Sequence, residues 1–129
     1  MPKNKLNLNQ KLTAFKKGTF LFLEGNPASE LFLIKSGLVE LRRKFNTAEI
    51  VIGQYGPGEF LGLVPAVEKW VYTETAEVIE DAEIFTLEPS DLKSLVINNA
   101  TIGFKIVNHL SNQLRELDLK LDKLSRGSS

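Results

Sequence analysis

The chain has 129 residues, 43% of them hydrophobic, with 16 basic and 16 acidic side chains and no cysteine. This length allows one domain with a hydrophobic core. The balanced charge gives no overall field for nucleic acid or an acidic membrane, and the lack of cysteine excludes disulfides and thiolate catalysis. No apolar run in the sequence is long enough to cross a bilayer. We therefore expect a cytoplasmic protein with no membrane partner.

After a polar arm over residues 1–10, the sequence indicates a series of short strands. Turn residues separate them, including Lys35-Ser36-Gly37 after a buried strand and Asn46-Thr47 in a hairpin. The predicted strands cover residues 15–23, 31–34, 38–43, 49–55, 75–79 and 83–87. Short strands at this regular spacing predict a mainly β fold, either a sandwich or a small antiparallel barrel.

A glycine-rich stretch over residues 56–65 interrupts the strands. Gly56, Gly58 and Gly62 allow a tight turn, and a short helix or loop follows as far as Trp70. A turn of this kind that runs into a helix presents N–H groups to an anion. However, the stretch contains no Lys or Arg, and Pro65 has no N–H to donate. The stretch therefore has the outline of a phosphate site and lacks part of the chemistry.

The end of the chain is predicted to be helical. Pro89-Ser90-Asp91 opens a short helix, and a longer helix runs over about residues 100–124. Apolar residues repeat there in alternating steps of four and three: Gly103, Val107, Leu110, Leu114, Leu117, Leu121 and Leu124. A helix that packs only against the barrel of its own chain usually has a wider apolar face. This narrow seam therefore favours a parallel coiled coil between two copies of the chain. Phe104 and Ile106, off the seam, are suited to docking the helix onto the barrel.

Residues for catalysis or metal binding do not form a recognisable set. His109 is the only histidine, whereas the metal sites of jelly-roll enzymes use several. The acidic residues after Thr73 alternate with apolar ones, as on the wet face of a strand: Glu74, Glu77, Glu80, Asp81 and Glu83. We expect no enzyme activity, no catalytic residues, no metal and no cofactor.

Five motifs follow one another along the chain: Phe15-x-x-Gly18, Leu23-Glu24-Gly25-x-Pro27-Ala28, Leu31-Phe32-Leu33-Ile34-x-Ser36-Gly37-x-Val39, Gly56-x-Gly58-Glu59-Phe60-x-Gly62 and Glu80-Asp81-Ala82-Glu83. This order resembles that of cyclic nucleotide-binding domains, over residues 12–124. The terminal helix lies where catabolite-activator/fumarate-nitrate-regulator (CRP/FNR) proteins have their dimerisation helix. The resemblance implies a jelly-roll-like (double-stranded β-helix) antiparallel barrel with flanking helices, over residues 11–124, and a phosphate-binding cassette between strands.

The cassette departs from the pattern of the family that it resembles. Leu63 stands where the family has a ribose-binding Glu, and Pro65 where a backbone N–H meets the phosphate. The family's phosphate-binding Arg falls at Tyr72 or Thr73, and Arg42 or Arg43 is a candidate to replace its charge. The degenerate ligand site consists of Gly56, Gly58, Glu59, Phe60, Gly62, Leu63, Val64, Pro65, Tyr72 and Thr73.

These observations predict a regulatory sensor and dimerisation domain of a CRP/FNR-like transcription regulator. It does not bind cyclic AMP or cyclic GMP in the usual way and responds to an unidentified small molecule or stays in one state. DNA is a partner only through a helix-turn-helix domain that this chain lacks, and residues 125–129 resemble a linker or an artificial end. Two alternatives remain open: a stand-alone protein-interaction module, and a cyclic nucleotide receptor with rewired contacts.

Overall fold

The computed structural model describes residues 8–92 and residue 94. A 3-10 helix at Leu8–Lys11 begins this part of the chain. The elements that follow are β1 (Leu12–Phe15), β2 (Phe20–Phe22), β3 (Leu31–Phe45), β4 (Ala48–Tyr55), β5 (Phe60–Leu61), α1 (Leu63–Glu68) and β6 (Thr75–Leu87). Among the described residues, no helix has the length and hydropathy needed to cross a membrane.

Two long strands, β3 and β6, form the centre of the sheet. They pair antiparallel from Leu31 opposite Leu87 to Arg42 opposite Thr75. At one end the strand order is β1–β6–β3–β5, and at the other it is β2–β6–β3–β4, with every pair antiparallel. The prediction of a mainly β, antiparallel fold is therefore confirmed.

The predicted strand boundaries at the centre of the sheet were wrong. Lys35-Ser36-Gly37 does not end a strand, because β3 continues through it, and the predicted strands 75–79 and 83–87 are one strand, β6. The register of β3 against β6 shifts three times between Ile34 and Val39. Gly37 lies in this irregular part with φ of 95°. The break in the hydrophobic pattern thus marks bulges in a strand that continues beyond them.

The buried side chains form two clusters, one on each face of the first half of β3. The larger one contains Phe22, Ala28, Phe32, Ile34, Val39, Leu41, Leu61, Tyr72, Ala76, Val78, Ala82 and Ile84. The smaller one contains Leu31, Leu33, Phe60, Leu63, Ala66 and Leu87, with Leu8 and Leu92 packed against it. Alternate residues of β3 enter different clusters, so all four residues from Leu31 to Ile34 are buried, as the sequence predicted.

The predicted Asn46-Thr47 hairpin is confirmed. Phe45 pairs with Ala48, which leaves two residues in the turn, and Asn46 has a φ of 58°. Asparagine tolerates this left-handed conformation better than most residues. The hairpin joins β3 to β4.

Several predictions from the sequence concern residues outside the described part. They are the first seven residues of the predicted arm over residues 1–10, the helix over about residues 100–124 and the segment 125–129. The proposed dimer seam lies there as a whole: Gly103, Val107, Leu110, Leu114, Leu117, Leu121 and Leu124.

Candidate functional site

The first half of the glycine-rich stretch is tied to the sheet. The Gly58 N–H donates to the Ile34 carbonyl at 2.8 Å, and the Ile34 N–H donates to the Glu59 carbonyl at 3.0 Å. Gly58 has a φ of 87°, which an L side chain rarely adopts. Phe60 and Leu61 then pair with β3 as the short strand β5. This half of the stretch is therefore an extension of the sheet.

The Glu59 carboxylate accepts a hydrogen bond from a backbone N–H group of this turn. Its Oε2 accepts the Gly56 N–H at 2.6 Å, and the Glu59 N–H donates to the Gly56 carbonyl at 3.2 Å. The chain thus supplies its own anion to this backbone group. A second anion at the same turn would meet a negative charge and find the Gly56 N–H already in use.

The second half of the stretch begins at Gly62, which precedes α1 with a φ of 70°. Leu63 is only 1% exposed and packs in the smaller cluster with Ala66, Leu31 and Leu33. Leu63 is therefore a core side chain in this fold. Val64 and Pro65 are half-buried on the same short helix.

Tyr72 is buried in the larger cluster, with 6% of its surface exposed. Its ring stacks on Phe22, with centroids 4.2 Å apart and planes inclined by 15°. The hydroxyl donates to the Glu30 carbonyl at 2.6 Å and accepts the Glu30 N–H at 3.1 Å. Tyr72 therefore satisfies its polar group on the protein backbone.

The structure brings Tyr72 and Gly62 together. A Cβ atom at Gly62 would lie 3.1 Å from Cε1 of Tyr72 and 3.5 Å from Cε2 of Phe22. The other residue at which the family's Arg was expected, Thr73, is exposed and donates its hydroxyl to the Glu74 carboxylate. Of the predicted ligand-site residues, Gly62 and Tyr72 thus meet in the interior, whereas Thr73 lies at the surface.

Arg42, the candidate for replacing the missing charge, is surrounded by carboxylates. Nη2 lies 2.7 Å from Glu77 Oε1, and Nη1 lies 3.1 Å from Glu40 Oε1. Nε is 3.0 Å from Glu49 Oε1, although its N–H is not directed at this oxygen. The hydrogen bond to Glu77 raises the pKa of Arg42, against the opposing effect of burial. Arg42 therefore stays charged, and its charge is already compensated.

The strand register gives Arg42 a structural role. Glu40 and Glu77 face each other directly across β3 and β6, on the sheet face opposite Val39 and Leu41. Like charges at such a pair destabilise a sheet, and the guanidinium between them removes the repulsion. Arg42 also lies 5.9 Å from the centre of the Phe20 ring.

Arg42→Met should lower the free energy of unfolding by about 1–2 kcal/mol, because it leaves two facing carboxylates without their cation. Arg43→Met is the matched control, since the Arg43 side chain is exposed on the same strand. We expect the control to change stability by less than about 0.5 kcal/mol. Urea unfolding of both variants checks this, and adding Glu77→Gln to Arg42→Met should restore part of the loss. Equal effects of the two arginine changes would contradict it.

Sequence reasoning missed two partners in this region, Phe22 and Glu30. Phe22 belongs to an apolar strand, where a stacking partner has no separate signal. Glu30 contributes its backbone N–H and carbonyl, which every non-proline residue has. The facing glutamates around Arg42 were detectable only through the register of β3 and β6.

The part of the chain that forms these strands, the glycine turn and the short helix matches a known protein family. A family model described as "Cyclic nucleotide-binding domain" matches residues 12–99. This chain belongs to the cyclic nucleotide-binding domain family. The resemblance to that family in the sequence motifs is therefore confirmed.

Relatives of this cyclic nucleotide-binding domain include regulators. The anaerobic regulatory protein of Bacillus subtilis is 30% identical over 111 residues, which cover 84% of this chain and 47% of that protein. An uncharacterized protein of Haemophilus influenzae is 25% identical over 112 residues, or 86% of each chain. The crystal structure of Thermus thermophilus catabolite activator protein aligns with a TM-score of 0.72 and 29% identity, covering 88% of this chain and 54% of that one. The chain spans about half the length of the Bacillus and Thermus proteins.

Proposed function

We propose that this cyclic nucleotide-binding domain is the sensor and dimerisation part of a CRP/FNR-like transcription regulator, with a cassette that does not recognise cyclic AMP or cyclic GMP in the usual way. The observation that carries the proposal is the position of Tyr72. It lies against Gly62 inside the domain, and its hydroxyl is bonded to the Glu30 backbone. A buried phenol bonded in this way offers no positive charge to a phosphate.

Other residues considered for the site support the same conclusion. Leu63 is buried among apolar side chains, and the Glu59 carboxylate holds the Gly56 N–H. The Arg42 guanidinium is held by Glu40 and Glu77. Transfer of a phosphate anion from water to a site without a compensating cation is costly. We expect the domain to respond to a less anionic effector or to remain in one state.

The regulatory part of the proposal is supported by the relatives. The Bacillus and Thermus proteins are about twice as long as the matched region, and they are an anaerobic regulatory protein and a catabolite activator protein. We propose that a jelly-roll barrel, closed around the larger cluster, is followed by a dimerisation helix over about residues 100–124. DNA binding then belongs to a separate helix-turn-helix domain of the full regulator in the cytoplasm.

Two other functions have some support. The Haemophilus relative matches over 86% of its own length, which favours a stand-alone protein-interaction module on the same fold. The family name favours a cyclic nucleotide receptor whose contacts are rewired. A reading frame that continues into a helix-turn-helix domain would support the regulator over the stand-alone module.

Thermal unfolding with added nucleotide tests the ligand part of the proposal. With cyclic AMP or cyclic GMP at 1 mM, we expect the free energy of unfolding to rise by no more than about 0.4 kcal/mol, as for a dissociation constant of about 1 mM or weaker. A receptor with a dissociation constant near 1 μM would be stabilised by about 4 kcal/mol at the same concentration. Linear 5′-AMP serves as the control for effects of nucleotide unrelated to the site.

A further inference from the structure

Tyr72 lies where three segments of the chain meet. Its ring contacts Gly62 at the start of α1. Its hydroxyl binds both backbone groups of Glu30, at the end of the connection between β2 and β3. Tyr72 itself belongs to the segment between α1 and β6. One side chain thus fastens the segment after α1 to the connection that precedes β3, next to Gly62.

The backbone continues this attachment. The Gly25 N–H donates to the Tyr72 carbonyl at 2.8 Å, and the Tyr72 N–H donates to the Asn26 carbonyl at 2.9 Å. The Ala28 N–H donates to the Trp70 carbonyl at 2.7 Å. These bonds form a short ladder at one end of the domain, outside the long pairing of β3 with β6.

The turn before α1 and the segment after α1 are bonded to different parts of the molecule. The turn up to Glu59 is bonded to Ile34 in the sheet, whereas residues 70–72 are bonded to residues 25–30. The helix α1, between these two segments, is flanked by left-handed residues, Gly62 with φ of 70° and Lys69 with φ of 57°. Gly62 permits a change of backbone direction at the junction with little steric cost.

We propose that Tyr72 is a latch that makes segments 25–30 and 70–72 open and close as one cooperative unit, while the turn up to Glu59 stays with the sheet. Opening of this unit changes the conformation of the cassette. The regulatory role of this opening rests on the proposed sensor function. Such units commonly open with a lower free energy than the whole domain.

Amide hydrogen exchange, measured by NMR on Tyr72→Phe, tests the latch. The change keeps the ring on Phe22 and removes both hydroxyl bonds to Glu30. We expect the Gly25, Ala28, Glu30 and Tyr72-position amides to exchange faster by one common factor of about tenfold. The Ile34 and Gly58 amides, which hold the sheet-bound half, should keep their rates. Tyr72→Leu should accelerate the same four amides further.

Tyr55→Phe is the matched control, because it removes the hydroxyl of the other tyrosine, which lies on β4. It should leave the four latch amides unchanged. Acceleration of the Glu30 amide alone would show a local hydrogen bond and overturn the latch. Equal acceleration at Ile34 and Gly58 would show that Tyr72 only stabilises the whole domain, and would also overturn it. Neither readout involves a nucleotide, so failure of the proposed ligand chemistry would be seen separately.

Discussion

Gly37→Ala should lower the free energy of unfolding by about 3 kcal/mol or more, which is the largest loss we expect from removal of any glycine in the described residues. A Cβ atom at this position would lie 2.5 Å from Cα of Ala82 and 2.6 Å from the carbonyl oxygen of Asp81. These are backbone atoms of β6 and have little freedom to move aside. The φ of 95° adds strain for any L side chain. The paired strands β3 and β6 can approach this closely only because residue 37 is glycine.

Gly18→Ala is the matched control for the Gly37 change. Gly18 has nearly the same φ, 94°, but nothing lies within 4 Å of the added Cβ. Its replacement should cost about 1–2 kcal/mol, from backbone conformation alone. Urea unfolding of the two variants isolates the contribution of the close approach. If the two variants unfold at the same urea concentration, the close approach of residue 37 to Ala82 adds no cost to that of the backbone conformation.

Leu114→Asp combined with Leu121→Asp should convert a dimer into monomers. Both positions belong to the proposed seam, where each carboxylate would be buried between two helices. An unpaired charge at such a position costs several kcal/mol, so two in each chain exceed what a short coiled coil tolerates. Sedimentation equilibrium should show twice the chain mass before the change and the single chain mass after it.

The control for this experiment adds negative charge away from the seam. Asn112→Asp combined with Lys123→Asp lies on the same predicted helix and adds at least as much negative charge, but it should leave the dimer intact. An unchanged mass for the Leu114 and Leu121 variant would show that the seam is not the interface. A monomer for both variants would attribute the effect to charge alone.

The sequence predicted those parts of the fold that depend on local patterns. The Asn46-Thr47 turn and the four buried residues from Leu31 to Ile34 were predicted correctly, because each is encoded by residues that are neighbours in the sequence. The continuity of β3 through Gly37 depends instead on its pairing with β6. A bulge and a strand end both interrupt the hydrophobic alternation, so the sequence alone did not separate them.

The sequence predicted which residues the candidate site contains, but not what their side chains contact. The sequence showed that Leu63 lacks a hydrogen-bonding group and that Tyr72 lacks a positive charge. It did not show that Leu63 packs in the smaller cluster or that Tyr72 binds the Glu30 backbone, because Glu30 and Tyr72 are 42 positions apart. Similarly, Arg42 was a candidate ligand residue until the register placed it between Glu40 and Glu77.

Calorimetric titration of the unmodified domain with cyclic AMP and then cyclic GMP measures whether the cassette recognises a cyclic nucleotide. Because Tyr72 lies against Gly62 and Arg42 is held by Glu40 and Glu77, we expect dissociation constants of about 1 mM or weaker, equivalent to a binding free energy of only about 4 kcal/mol. Either nucleotide binding with a dissociation constant near 1 μM would contradict the account. It would mean that Arg42, Arg43 or a residue of a second copy supplies the charge that the cassette lacks.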